Sequence, residues 1–415
     1  MKKPFVILVI GLLFLGCISP PTSSEINLTV NNSLSAPNAS SAAPNASSPA
    51  PNASNTSPVQ TANASIGIHA NISNTSNISS TANNTTVVAQ NASSSVSLQL
   101  AIPASIESNC VGFLVGDSSE LYMVSLIGGA WARPHPGPFS WGFIEKTPGT
   151  YDFSETDTWV KAAQQNNVAM LATIWPFADW DQTCKQGCEV DSSDQFYPST
   201  KGGFTSGIPA KRCAPCNMTA YKKFIARLAE RYDGDGIDDM PGLKLPIKYY
   251  EVLNEPEMNE QTLSFFKGST NDYLELLKSS HEAIKNACNG CTIVQGGAAG
   301  TDFKFLSFWE TMYSSGASQY VDIANIHYIG TGDRDTLNVK KFKQTINNYG
   351  ANKSIWVTEA QYSSKDSITS SFEGALNAGA SKVFFVSFKI GEMGPPVPGE
   401  YSSEYATLPG KCKSS

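Results

Sequence analysis

The stretch Tyr249-Tyr250-Glu251-Val252-Leu253-Asn254-Glu255-Pro256 decides how the chain is read. An apolar, aromatic run ends abruptly in two polar residues and a proline, the pattern of a buried strand that delivers Asn254 and Glu255 to its carboxyl end. A second run of the same kind, Ile355-Trp356-Val357-Thr358, delivers Glu359. The two glutamates are 104 residues apart. That separation is three strand–helix repeats of roughly 35 residues each. They would then end the fourth and seventh strands of a closed parallel barrel and face each other across the rim where such barrels carry their chemistry.

Counting these two strands, apolar runs occupy residues 121–127, 139–144, 168–174, 247–253, 292–295, 321–326, 354–358 and 382–386. Eight is the number that a closed barrel requires. Helical patterns at 154–165, 219–231, 271–287, 302–314, 336–349 and 367–378 fit the crossovers between them. The expected fold class is α/β, a (β/α)8 TIM barrel over residues 101–415. That span of 315 residues carries 27 basic and 35 acidic side chains, a net charge of −8. Such a surface repels phosphate backbones, so nucleic acid is not an expected partner.

The first hundred residues are of another kind. Lys2 and Lys3 precede an apolar run that ends at Gly16, too short for a comfortable bilayer span but suited to an export signal. Phe14-Leu15-Gly16-Cys17 resembles a lipoprotein cleavage box, which makes Cys17 the expected lipidation site; an uncleaved N-terminal anchor and simple secretion are the alternatives. All three place the domain on the outer face of the cell membrane or beyond it. Residues 18–100 consist mostly of Asn, Ser, Thr, Ala and Pro, with one charged side chain, Glu25, and no means of forming a core. They read as a disordered linker. Sequons at Asn27, Asn38, Asn45, Asn52, Asn63, Asn71, Asn77, Asn84 and Asn91 favour a glycosylated stalk over a bare one.

Apart from Cys17 there are eight cysteines: Cys110, Cys184, Cys188, Cys213, Cys216, Cys288, Cys291 and Cys412. An even number in an exported chain favours disulfides. The spacing of Cys184, Cys188, Cys213 and Cys216 also suits a four-thiolate zinc site, so both readings stand. Cys288 with Cys291 reads as a loop clip, and Cys110 with Cys412 as a closure of the domain's ends.

Two carboxylates at one rim are what glycoside cleavage needs. One protonates the departing oxygen, and the other attacks the anomeric carbon or activates water. Asn254 is suited to hydrogen-bonding a sugar hydroxyl, and Trp175 and Trp180 to lying under a sugar ring. Trp131 and Trp141 read more as core. Arg133 reads either as an orienter of the nucleophile or as the partner of Glu251 in a buried ion pair.

Residues 122–389 resemble the clan A glycoside hydrolases, the retaining β-glycosidases that include β-xylosidases, cellulases and mannanases. Tyr250-Glu251-Val252-Leu253-Asn254-Glu255-Pro256 is similar to the clan's fourth-strand motif, which implies that Glu255 is the acid/base. The seventh-strand position implies that Glu359 is the nucleophile. Ala130-Trp131-Ala132-Arg133 and Trp141-Gly142-Phe143-Ile144-Glu145 resemble the opening of several families of the clan. Ile326-His327-Tyr328 matches the sixth-strand position, which implies a hydrogen bond from Tyr328 to the nucleophile; His327 itself reads equally as a sugar contact or as a histidine satisfied by its neighbours. The chain departs from the clan at Val386-Ser387-Phe388-Lys389, where many members carry Trp under the sugar.

The insertion at 181–218, which holds four of the cysteines, follows the third strand and reads as a wall or lid of the site, with a merely decorative loop as the alternative. Asp233-Gly234-Asp235-Gly236-Ile237-Asp238-Asp239 alternates acids with glycines as calcium loops do. Asp233, Asp235 and Asp238 are therefore the candidate ligands of a structural calcium on the opposite face, with a solvated turn as the plainer reading; catalysis itself requires no cofactor. The expected function is that of an exported, surface-tethered retaining β-glycosidase acting on an oligo- or polysaccharide. A catalytically silent barrel that binds cell-surface glycans is the alternative.

Overall fold

The computed structural model describes residues 99–198, 208–362, 367–386 and 403–413. The expected export signal, Cys17, the linker to residue 98 and its sequons, and Ser387-Phe388-Lys389 lie outside the described residues. Eight parallel strands close into a barrel: β1 Val111–Val115, β2 Trp131–Pro134, β3 Ala169–Ile174, β4 Tyr249–Val252, β5 Thr292–Gln295, β6 Ile323–Ile329, β7 Ser354–Gln361 and β8 Ala380–Phe385. Every strand pairs with its sequence neighbour, and β8 returns to β1. The crossovers are helices α1 Leu121–Leu126, α2 Ser154–Gln165, α3 Met218–Tyr232, α4 Thr270–Ala287, α5 Phe303–Ser314, α6 Val339–Asn347 and α7 Ile368–Ala378. This is a (β/α)8 barrel. No helix of the described residues is long and apolar enough to cross a membrane.

Two of the eight expected strands are wrong, and two true ones take their places. Residues 121–126 form helix α1 because Leu121, Val124 and Ile127 are buried while Tyr122 and Leu126 are exposed, a helical stripe and not an alternation. The first strand is instead Val111–Val115, buried throughout, as a parallel strand between two layers must be. Its Gly112 is required there, since a Cβ would lie 2.4 Å from the Phe384 ring. Residues 139–144 pair through one isolated bridge, Ser140 to Trp175, and Trp141–Ile144 turns into one helical turn. The second strand is Trp131–Pro134, where Pro134 brings the run to its end.

The barrel interior is layered, and the layering positions the site. At the floor, Trp131, Tyr249, Trp356 and Phe384 pack ring on ring, with Trp131 and Trp356 centroids 5.5 Å apart and Tyr249 and Trp356 4.9 Å apart. Burying each such ring contributes about 2 kcal/mol. Lys382 lies over the Trp131 ring at 4.1 Å and donates to the carbonyls of Glu107 and Asn109. Above this floor the side chains turn polar: Arg133, Thr173, Glu251, Asn325 and Thr358 are all fully buried. Asn254, Glu255, His327 and Glu359 crown them at the carboxyl ends of the strands.

All eight cysteines of the barrel domain are paired, Cys110 with Cys412, Cys184 with Cys216, Cys188 with Cys213 and Cys288 with Cys291. The four insertion sulfurs are thereby used in disulfides and are not zinc thiolates. Buried Arg212 fastens the insertion further, donating to Asp194 at 3.0 Å and to the Phe196 and Ser264 carbonyls. The loop after β4 is held by the same knot, because Ser264 N donates to Asp194.

The acidic turn lies between α3 and β4, at the amino ends of the strands. One carboxylate oxygen each of Asp233, Asp235 and Asp239 lie within 4.8 Å of one another, whereas Asp238 is turned outward towards Arg227. Asp239 therefore stands where Asp238 was expected. Its two oxygens accept the turn's own Gly234 and Gly236 amides, and Asp233 accepts that of Asp235.

Candidate active site

The end of β4 is built under backbone constraint. Leu253 and Glu255 both adopt left-handed conformations, with φ of 69° and 38°. Such non-glycine residues cost of order 1–3 kcal/mol each and persist only where the surroundings enforce them. Here Leu253 N donates to Ile174 O, Glu255 N donates to Gly297 O, and the Tyr273 hydroxyl donates to Val252 O while accepting from Gly296 N. The result is that Asn254 and Glu255 both reach the barrel mouth.

An irregularity in β7 does the same for Glu359. The register runs Ile326 to Val357 and then His327 to Glu359, so Thr358 is an extra residue opposite β6. A bulge of this kind re-aims side chains. Thr358 and Glu359 are consecutive, yet both reach the interior, which a regular strand forbids. Thr358 Oγ1 lies 2.9 Å from His327 Nε2, and Glu359 Oε1 lies 2.9 Å from Arg133 Nη1.

Arg133 contacts Glu251 and Glu359 at once. Its Nε donates to Glu251 at 2.7 Å, its Nη1 to Glu359 at 2.9 Å and its Nη2 to Asn254 at 2.5 Å. Glu251 is a buried anchor that also accepts from Thr173, Asn325 and Thr358. Asn254 is thus occupied by Arg133. His327 Nδ1 lies 2.7 Å from Glu255 and 3.7 Å from Glu359. One carboxylate oxygen of each glutamate and a His327 ring nitrogen lie within 4.8 Å of one another.

The surroundings split the two glutamates. Burial pushes the Glu255 carboxyl up to about 8, with Arg133 pulling down and Glu251 pushing up. Burial raises Glu359 as well, opposed by His327 and Arg133, but only Glu359 touches the guanidinium. Burial lowers His327 to about 4 in spite of Glu359, so the ring is neutral near pH 7. For Arg133, burial works against the charge, Glu251 and Glu359 outweigh it, and the net shift is upward. One cation facing three carboxyl groups in a dry barrel leaves a proton on the one it does not touch, and that is Glu255.

Several expected contacts fall elsewhere. Tyr328 follows the inward His327 on β6 and so joins the core between strands and helices; its ring lies against Tyr362, 6.3 Å between centroids, and among the described hydrogen bonds none joins it to Glu359. Trp175 is 1% exposed, donates to Pro136 O and packs beside His135 and Phe265, so it is wall and not platform. Trp180 leans edge-on against Trp141, donates to Glu145 O, and lines a cavity of about 300 Å³ with Gly142, Phe143, Lys146, Asp179 and Pro209. The insertion brings Phe196 against His135, 5.3 Å between centroids, two residues from Arg133. Residues 199–207 of the insertion lie outside the described residues.

Reading the sequence missed Asn325, Thr358, Thr173 and Gly297. Asn325 had a usable signal, a lone polar residue two before His327 in an apolar strand. Gly297 had a weaker one in the pair Gly296-Gly297 after β5; a Cβ on Gly297 would lie 1.9 Å from His327 Nε2, so any side chain there displaces the imidazole.

No protein-family model matches the chain, and no curated protein matches it. Among solved structures it is similar to a glucosidase from Croceicoccus marinus, at 13% identity and TM-score 0.46, covering 64% of this chain and 55% of that one. It is similar to a family 39 glycoside hydrolase from the gut symbiont Bacteroides cellulosilyticus WH2, at 14% identity and TM-score 0.47, covering 74% and 64%. It is also similar to xylanase XynB from Paenibacillus barcinonensis, at 12% identity and TM-score 0.47, covering 75% and 98%. The chain thus spans 55% and 64% of the length of the first two. These are likenesses of architecture, and the chemistry is read from this chain's own residues.

Proposed function

We propose that the chain is a retaining β-glycoside hydrolase acting on an oligo- or polysaccharide. The observation that carries the reading is the buried pair itself: Glu255 and Glu359 with oxygens within 4.8 Å, one on Arg133 and the other on a neutral imidazole. Retaining enzymes hold their carboxyl groups about 5–5.5 Å apart, whereas inverting ones leave about 6.5–9.5 Å for a water. Glu359 Oε attacks the anomeric carbon as the glycosidic C–O bond breaks, and the Glu255 proton passes to the leaving oxygen. Water then attacks the glycosyl ester, Glu255 takes its proton, and Glu359 leaves as carboxylate. The sequence resemblance to clan A implies the same assignment. Incubating the oxidised protein with a panel of polysaccharides and aryl β-glycosides, with proton NMR of the first product anomer, tests it. Products of retained configuration are expected; inverted products, or no turnover on any of them, overturn it.

We also propose that the barrel is exported and tethered through Cys17. The support is the sequence of residues 1–17 and the tract that follows, whose one charged side chain is Glu25. Mature protein should partition into detergent, and Cys17→Ser should abolish this; a Cys17→Ser protein that still partitions points to an uncleaved anchor.

A further inference from the structure

The polar layer beneath the glutamates is directional. Asn325 Nδ2 faces Glu251 Oε1 at 2.6 Å, and since a carboxylate only accepts, the amide's orientation is fixed with its oxygen towards Thr358. Thr358 Oγ1 lies 2.9 Å from Asn325 Oδ1 and 3.3 Å from Glu251 Oε1, both acceptors, so its single proton points that way. Its lone pairs are left for His327 Nε2 at 2.9 Å, which must donate. In a neutral ring the other nitrogen then has no proton. His327 Nδ1 is an acceptor, and the group 2.7 Å from it, Glu255 Oε1, supplies the hydrogen.

We infer that Thr358 and Asn325 are positioning residues that hold His327 in its Nε2–H tautomer, so that Nδ1 accepts the very proton Glu255 delivers to the leaving group. The inference rests on the glycosidase reading only in its last clause; the tautomer follows from the hydrogen bonds alone. Every donor in the chain Glu255, His327, Thr358, Asn325 points towards Glu251, which Arg133 and Thr173 pin from the other side. Gln295 braces Asn325 by donating to its carbonyl, and Tyr313 donates to Gln295. The consequence for chemistry is asymmetric. Once Glu255 has given its proton away, its carboxylate faces a lone pair and receives no hydrogen bond from His327. That keeps it a strong enough base to deprotonate the incoming water.

The charged and titratable groups around this chain are Arg133 on β2 and His135 after it, Glu251 and Glu257 along and after β4, and Glu359 on β7. None of them offers His327 Nε2 an acceptor in place of Thr358 among the described hydrogen bonds. Removing the Thr358 hydroxyl frees the ring to carry its proton on Nδ1 and donate it to ionised Glu255.

The test is long-range 15N–1H NMR of histidine-labelled full-length protein, which has four histidines, beside the pH profile of hydrolysis by Thr358→Val and Thr358→Ser. The unsubstituted protein should show His327 as the neutral Nε2–H tautomer. Thr358→Val should move the alkaline limb of kcat/KM for an unactivated glycoside downward by about one pH unit or more, and Thr358→Ser should restore it. A His327 ring found as Nδ1–H or as imidazolium at pH 7 overturns the inference even where hydrolysis is intact. An unshifted limb in a folded Thr358→Val protein overturns it too, whereas absent hydrolysis with the expected tautomer sinks only the glycosidase reading.

Discussion

On the proposed mechanism Glu359→Gln should lose essentially all turnover, a fall of about five to six orders of magnitude in kcat, as expected when a nucleophile is removed. The substitution is close to isosteric, and the buried guanidinium that loses one partner keeps Glu251 at 2.7 Å, Asn254 at 2.5 Å and His135 at 3.4 Å. The fold is therefore expected to survive, and a melting curve within a few degrees of the parent separates loss of chemistry from loss of structure. No other described carboxylate occupies Glu359's position. Glu251 is buried under four donors, and Glu255 is held by its own hydrogen bond to His327. With an aryl β-glycoside the parent should show a covalent glycosyl adduct by mass spectrometry, and the variant none. Hydrolysis by the variant within about tenfold of the parent would falsify the assignment of Glu359 as nucleophile.

The two glutamates were legible because strand ends carry chemistry and because 104 residues is a whole number of strand–helix repeats. Their roles came only from a resemblance. What separates them physically is Arg133 on one and His327 on the other, contacts between strands far apart in sequence. Tyr328 was misplaced for the converse reason. Motif position says nothing about the bulge that sends Thr358 and Glu359 both inward, and alternation along β6 puts Tyr328 on the outer side once His327 is inside. The false strand at 121–127 failed because a seven-residue apolar segment contains too little of either period; exposure of Tyr122 and Leu126 is what reveals its helical stripe. Trp175 illustrates a further limit. Aromatics at a rim serve equally as sugar platforms and as walls, and here His135 and Phe265 cover the ring, with Phe196 from the insertion packed against them.

Glu255→Ala should separate its substrates by their leaving groups. A glycoside whose aglycone needs protonation should lose about three to four orders of magnitude, the scale of a positioned general acid. An activated aryl glycoside departs unaided, so its first step should proceed through Glu359 and the ester intermediate should accumulate, because no base remains to activate water. Azide carries its own charge and needs no base, and it fits where the carboxyl group was removed; it should restore turnover and yield a β-glycosyl azide. The pH profile gives an independent sign. In the parent the competent form of Glu255 is the protonated one, and burial holds that form up to about 8, so kcat/KM for an unactivated glycoside should fall as pH rises through that value. In Glu255→Ala that alkaline limb should vanish, while the acid limb, which reports Glu359 beside Arg133, should remain. An alkaline limb that persists in the alanine variant would assign the titration to another group, and the absence of azide rescue with a folded protein would remove Glu255 from the acid/base role.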